Sequence, residues 1–168
     1  MLKVGDYVMK SSEGVCKVDR QLMMAPYDSR EEVPYYLLIP IKDGRSRVYV
    51  RAAESYSDIR PVMSAEEANA LIKKIRDIAA APIESERQRE QVYKDALRSL
   101  NPERIVGIIK NMYERGLDRQ RQGKKNTSVD DRYFKLAKET LYQELAFALG
   151  TELETIREMV RNYAETAS

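Results

Sequence analysis

The side chains of this sequence that could do chemistry are carboxylates, one thiol and clustered basic groups. The chain has no histidine and a single cysteine, Cys16. Histidine is the commonest general base and metal ligand near neutral pH, so its absence excludes a Cys–His dyad and a Cys/His zinc site. The glycines are scattered and form no phosphate-binding loop. An enzyme working through aspartate and glutamate alone stays open, but we expect no catalytic residue, metal site or cofactor.

The clearest charge pattern is a basic segment in the second half of the chain. Residues 104–125 contain seven basic and two acidic side chains, whereas residues 1–62 contain ten and nine. Such a segment attracts phosphate backbones, although it is also common on solvated helix faces. The candidate DNA contacts that follow from charge alone are Arg119, Arg121, Lys124 and Lys125.

Composition predicts a soluble protein that stays in the cytoplasm. The chain is 43% hydrophobic and 33% charged. No apolar run approaches the ~20 residues needed to cross a bilayer, and the first residues lack the apolar core of a signal peptide. A single cysteine cannot form an internal disulfide, which fits a reducing compartment. We therefore expect neither a membrane partner nor a small-molecule substrate.

Residues 1–62 have the pattern of short β-strands, in which β-branched and aromatic segments alternate with turn formers. The predicted strands are Tyr7–Met9, Val15–Val18, Tyr35–Ile39, Arg47–Val50 and a short closing strand at Ile59. In the fourth strand, Val48 and Val50 share one face and Tyr49 takes the other. So few short strands cannot form a sandwich, and a small SH3-like barrel is predicted instead.

From Ser64 onward the period becomes helical and predicts five helices. Ser64–Glu67 is a capping box that opens the first helix, and Pro82 is expected to break it. A second capping box is predicted at Ser85–Gln88. The later helices are predicted to begin at Asn101, at Thr127 or Ser128, and just after Gly150. The predicted core stripes are Val92, Ala96, Leu97 and Leu100 in the second helix, and Leu136, Ala137, Thr140, Leu141, Leu145 and Leu149 in the fourth.

These patterns together predict an α+β chain. A small N-terminal SH3/Tudor-like β-barrel, residues 1–62, is followed by a C-terminal five-helix bundle, residues 63–168. Helices joined by short connections are expected to pack as a compact bundle.

Several motifs occur in an order that resembles the CarD/CdnL family of bacterial transcription regulators, whose N-terminal module also occurs in the transcription-repair coupling factor. In the strand-rich half the motifs are Gly5-Asp-Tyr-Val8, Gly14-Val15, Tyr35-Tyr-Leu-Leu-Ile-Pro40 and Val48-Tyr-Val50. In the helical half they are Tyr93-Lys94 with Leu97, and Thr127-Ser-Val-Asp-Asp-Arg132 leading to Glu144-Leu-Ala146. The resemblance covers nearly the whole chain.

The resemblance implies a binding protein and not an enzyme. Its Tudor-like barrel would add a strand to a lobe of the RNA polymerase β subunit. Its helical domain would contact promoter DNA, without sequence specificity, at the upstream edge of the transcription bubble and would modulate the stability of the open complex. The implied polymerase-binding residues are Arg47, Val48, Tyr49, Val50 and Arg51. Val48 and Val50 also fit a purely structural role in the barrel core.

The sequence departs from the family at both surfaces. A basic family residue that faces the polymerase falls at about Tyr49, and a usual proline falls at Arg51. Relatives carry a DNA-wedging tryptophan that falls at about Arg89 here, and this chain has no tryptophan. The DNA contacts implied by the match are Arg89, Lys94 and Arg132. Arg132 also fits a surface ion pair.

Two other binding functions stay open. The first is an adaptor that binds the polymerase and recruits a protein with its helices, without touching DNA. The second is an RNA- or ribosome-binding factor that uses the barrel directly, which predicts a basic barrel; the near balance of charge in residues 1–62 disfavours it.

Overall fold

The computed structural model describes residues 1–165 and divides the chain into two compact units, with the boundary between Val62 and Met63. The first unit is a sheet of five antiparallel strands. They are β1 (Tyr7–Lys10), β2 (Gly14–Met24), β3 (Val33–Pro40), β4 (Val48–Arg51) and β5 (Ile59–Pro61). A single helical turn, α1 (Ser55–Asp58), leads into β5.

The strand order is β4-β3-β2-β1-β5, so β4 and β5 are the two edges. The predicted closing strand is confirmed, since β5 pairs with β1 through Met9 and Arg60. The sheet is nevertheless open, because within residues 1–165 no pairing joins β4 to β5. β2 extends well beyond the predicted Val15–Val18, because Arg20 to Met24 continue to pair with β3. A register shift between Val18 and Arg20 marks a bulge, which bends a strand.

One face of this sheet carries the core of the first unit. The buried cluster comprises Val8, Cys16, Val18, Tyr36, Leu38, Val50 and Ile59, with Val48 packed at its margin. The two-residue period places these residues on one face of the sheet, and Met9, Val15 and Leu37 of the other face are buried as well.

Cys16 lies within this cluster, and its burial raises the pKa of the thiol from 9.0 to about 11. Because thiolate is the reactive form, we expect the native thiol to react with an aromatic disulfide reagent near pH 8 about a hundredfold more slowly than in guanidinium-unfolded protein. The measurement is the release of coloured thiol over time. Equal rates for native and unfolded protein would contradict the placement of Cys16.

The second unit contains five helices, as predicted. They are α2 (Ala65–Lys74), α3 (Glu86–Arg98), α4 (Pro102–Arg121), α5 (Ser128–Leu149) and α6 (Leu153–Glu165). No helix in the described part of the chain is long and apolar enough to cross a membrane.

Three of the helix starts agree with the predicted caps. Ser64 and Glu67 form a reciprocal capping box, with Oγ accepting from the Glu67 N–H at 3.1 Å and the Glu67 carboxylate accepting from the Ser64 N–H at 2.7 Å. Asn101 and Thr127 cap α4 and α5 through their side-chain oxygens. Gly150 ends α5 with φ +61°, a left-handed conformation that glycine adopts without strain.

Two predictions about the helix ends are wrong. The first helix ends at Lys74 and a 3₁₀ turn, before Pro82, because Lys110 of α4 donates to the carbonyls of Arg76 and Ile78. Ser85 forms no side-chain cap, and the Gln88 N–H donates to its backbone carbonyl instead.

The predicted core stripes are partly wrong. Tyr93, absent from the predicted stripe of α3, is fully buried beside Ala96. On α5, Leu136 is exposed and Thr140 only half-buried, whereas Tyr133 and two carboxylates, Asp130 and Glu144, are buried with the leucines.

Candidate functional site

β4 forms an open edge of the sheet. Its four residues pair with β3 from Leu38↔Val48 to Tyr35↔Arg51, and within residues 1–165 no strand pairs with its other side. An edge strand presents a row of backbone N–H and C=O groups that a strand from another chain can pair with. The geometry therefore provides a docking edge.

The side chains of β4 divide between the two faces. Val48 and Val50 turn towards the core cluster, so their structural role is clear. Tyr49 lies on the opposite face and is 48% exposed, opposite Leu37 on β3. A large aromatic side chain that remains accessible beside an open edge can anchor a partner, since its ring supplies apolar area with little loss of entropy.

The two arginines that flank this edge differ in how they are held. Arg51 donates from Nε to the Tyr35 hydroxyl at 3.0 Å and forms ion pairs with Glu54 at 3.2 Å and Asp28 at 3.6 Å. Arg47 is exposed and donates only to backbone carbonyls in its own turn, at 2.9 and 3.0 Å. Arg47 therefore keeps its charge for a partner, whereas Arg51 is largely committed to its own sheet.

The end of α4 and the loop after it form the basic end of the helical unit, which contains Arg119, Arg121, Lys124 and Lys125. Arg119 holds the loop against the helix by donating to the Lys125 carbonyl at 2.8 Å, and its own carbonyl accepts from the Lys124 N–H at 2.8 Å. All four side chains thus lie within one turn of helix and a short loop, and the loop is fixed to the helix.

Nearby acids neutralise only part of this basic end. Arg121 forms an exposed i,i+3 ion pair with Asp118 at 3.1 Å, a type of pair that is weak and easily exchanged for a phosphate. Lys124 and Lys125 are exposed and form no ion pair within residues 1–165. Cations at a helix C-terminus also stabilise the macrodipole, which explains Arg119 and Arg121 but not the loop lysines.

Arg89 is turned into the helical unit and its side chain is only 12% exposed. Nη1 donates to the Tyr93 hydroxyl at 2.9 Å and to Asn111 Oδ1 at 2.8 Å, and Nη2 lies 3.2 Å from Glu86. With these partners the guanidinium is not presented to DNA. Arg89 instead joins α3 to α4.

Arg89 belongs to a buried polar network that the sequence patterns did not reveal. Tyr93 donates to Asp130 Oδ1 at 2.8 Å, and Arg115 donates from Nε to Asp130 Oδ2 at 2.7 Å and also contacts Glu86. Burial raises the pKa of Tyr93 to about 12, and the hydrogen bond from Arg115 lowers the pKa of Glu86. The network joins α3, α4 and α5.

Lys94 and Arg132 share one carboxylate on the surface. Glu90 accepts from Arg132 at 3.0 Å and from the Tyr133 hydroxyl at 3.0 Å, and Lys94 lies 3.5 Å away. The hydrogen bond from Tyr133 lowers the pKa of Glu90, and Lys94 and Arg132 add to that effect. The predicted ion pair of Arg132 therefore forms, but it joins α5 to α3 and is not within its own helix.

The exposed groups of the β4 edge and of the basic end can offer backbone hydrogen bonds, an aromatic ring and positive charge to another molecule. Within residues 1–165 no three His, Cys, Asp or Glu side chains are grouped to hold a metal ion. The buried carboxylates serve the fold, since Asp130 accepts from Arg115 and Tyr93 and Glu144 accepts from the Met63 N–H at 3.0 Å. No protein-family model matches the sequence, and no curated protein matches it.

Proposed function

We propose that this chain is a bacterial transcription regulator of the CarD/CdnL type. Its strand-built unit binds the RNA polymerase β subunit by strand addition at β4, and its helical unit contacts promoter DNA and modulates the open complex. The observation that carries the proposal is the open β4 edge with Tyr49 exposed beside it. The ordered motifs of the sequence supply the identity of the partner.

The finer fold in this proposal is an SH3/Tudor-like barrel. Five antiparallel strands over 62 residues support it, with β1 to β4 in meander order and β5 returning to pair with β1, as does the bulge in the long β2. Strong bending at a bulge is how a small sheet curls towards a barrel while its two end strands remain edges.

The proposed DNA contacts are revised by the geometry. Arg119, Lys124 and Lys125 carry the interaction, with Arg121 available by exchange from Asp118. Arg89 is left out because its donors are used inside the unit. Lys94 and Arg132 contribute less because they share Glu90. Contacts of this kind are made to phosphates, so the binding is independent of sequence.

We expect Tyr49→Ala to weaken capture of the polymerase β subunit at least about tenfold, because it removes the exposed aromatic anchor beside the docking edge. The measurement is the dissociation constant for the isolated β lobe by biolayer interferometry. Ile41→Ala is the matched control, since Ile41 is 42% exposed in the same unit but lies outside β4. Equal loss in both variants, or no loss in Tyr49→Ala, would remove β4 from the interface.

The function itself is tested by promoter-opening kinetics with and without the full chain. A regulator of the open complex changes the rate of opening or the lifetime of the open state, and Tyr49→Ala removes that change. Unaltered opening kinetics under conditions where the polymerase is captured would reject the proposed regulation.

The second candidate is a polymerase-bound adaptor that does not touch DNA. The inward orientation of Arg89 and the Glu90 carboxylate shared by Lys94 and Arg132 favour it, because both reduce the charge that the helices offer to phosphates. This candidate predicts capture of the β subunit together with no salt-dependent binding to duplex or fork DNA.

A further inference from the structure

An apolar groove crosses one face of the helical unit, between α4, α5 and α6. It has a volume of about 440 Å³. Leu141 forms part of its floor and is buried, and Ile109 and Val160 lie half-buried along it. Phe134 and Tyr142 from α5 complete the apolar lining. Exposure of this apolar lining to water is unfavourable, so a partner that buried it would be stabilised by the hydrophobic effect.

All four charged side chains that line the groove are basic. They are Lys110, Lys138, Arg157 and Arg161, contributed by α4, α5 and α6. Lys138 lies over the rings of Phe134 and Tyr142, with its Nζ 4.9 and 5.9 Å from the ring centroids. A cation held against aromatic rings, in a cavity whose described lining contains no carboxylate, favours an anionic occupant.

The groove is longer than one cavity. A second cavity of about 530 Å³ shares Tyr113 and Phe134 with it, and its lining includes Asp130 and Asp131 as well as Lys124 and Lys125. Tyr113, at the junction, is 59% exposed. The basic margin therefore belongs to the first cavity, whereas the apolar surface extends past Tyr113 into the second. An elongated apolar surface with a basic margin along one part matches an extended amphipathic segment better than a compact ligand. Helix-in-groove binding uses apolar side chains at i, i+3, i+4 and i+7 on one helix face.

We propose that this groove binds an acidic amphipathic helix of a partner protein. The apolar face of that helix would lie on Ile109, Tyr113 and Tyr142, and its flanking carboxylates would meet Lys138, Arg157 and Arg161. This surface is distinct from the β4 edge, and the proposal holds whether or not the chain binds polymerase or DNA.

The test uses the full chain and a fluorescein-labelled designed peptide of about 16 residues, with leucines at the helix-face spacing and glutamates elsewhere. We expect fluorescence anisotropy to give a dissociation constant on the order of 10 µM. The same peptide with every glutamate replaced by lysine should bind at least tenfold more weakly. Equal binding of the two peptides, or no binding of the acidic one, overturns the proposal.

Two variants locate the site. Lys138→Glu should weaken binding of the acidic peptide at least tenfold, whereas Lys135→Glu should not, because Lys135 lies on the same helix outside the groove. Arg161→Glu repeats the test on α6, should Lys138→Glu disturb folding by circular dichroism. Equal effects of Lys135→Glu and the groove variants overturn the placement. If dodecanoate binds in a Lys138-dependent way and the peptide does not bind, the groove is a site for an anionic amphiphile, and the proposal of a helical partner is overturned.

Discussion

Asp130→Asn is expected to lower the free energy of unfolding of the helical unit by about 3 kcal/mol, which changes the folding equilibrium more than a hundredfold. Asp130 is 4% exposed and accepts from Arg115 and Tyr93. The amide keeps one acceptor oxygen but removes the charge, so it leaves the largely buried Arg115 guanidinium with the exposed Glu86 as its remaining carboxylate partner. Removing one partner of a buried pair costs far more than the pair contributes as a whole.

Thermal unfolding followed by circular dichroism at the helix band checks this expectation, with a loss of about 10 °C in the melting temperature. Asp118→Asn is the matched control. It removes the same chemical group from an exposed ion pair with Arg121 and should cost less than ~1 kcal/mol. A loss in Asp130→Asn no larger than in the control would show that the network contributes little to stability.

The triple variant Arg119→Gln, Lys124→Gln, Lys125→Gln is expected to reduce binding to fork-junction DNA about a hundredfold at low salt. Each cation that neutralises a phosphate releases a condensed counterion. Loss of three contacts should therefore lower the slope of log affinity against log salt by about 2.7. Lys124 and Lys125 are exposed, so any fall in the melting temperature should come from Arg119, which is half-buried and donates to the Lys125 carbonyl.

The control for this variant removes the same charge elsewhere. Lys3, Lys17 and Lys42 are exposed in the strand-built unit, so their replacement by glutamine lowers the net charge equally but leaves the basic end of α4 intact. Titrations of labelled DNA at several salt concentrations give both affinity and slope. Equal losses in the two triple variants would mean that net charge, and not this surface, governs binding. Unchanged binding in both would remove the basic end of α4 from the DNA contact, and absence of salt-dependent binding by the unaltered chain would favour the adaptor.

The order of elements could be predicted because local signals mark them. Ser64, Asn101 and Thr127 each satisfy backbone donors of the next few residues, which is a property of the sequence alone. The short strands could also be predicted from local signals, namely β-branched and aromatic segments separated by turn formers. The length of β2 could not be predicted, because Arg20 to Met24 are placed in the strand by pairing with β3 and not by a pattern of their own.

What could not be predicted depends on contacts between elements distant in the chain. Arg89 turns inward because Asn111 of α4 and Tyr93 of its own helix offer oxygens there. In the sequence, Asp130 looks like any acidic residue in the first turn of a helix. It becomes part of a buried ion pair because Arg115 of α4 approaches it in the fold. A tyrosine at position 93, in phase with Ala96 and Leu100, was the one available signal of that buried polar site.

The open edge of β4 also creates a risk of aggregation. The same row of peptide groups that can receive a partner can recruit an identical chain, and edge-to-edge pairing of this kind leads to aggregates. β4 limits the hazard because it is four residues long and because the exposed Arg47 directly precedes it. Colloidal stability and docking therefore depend on one short segment. Substitutions that lengthen β4 or remove the charge beside it would make the edge easier to pair with, and would also make the protein more prone to aggregate.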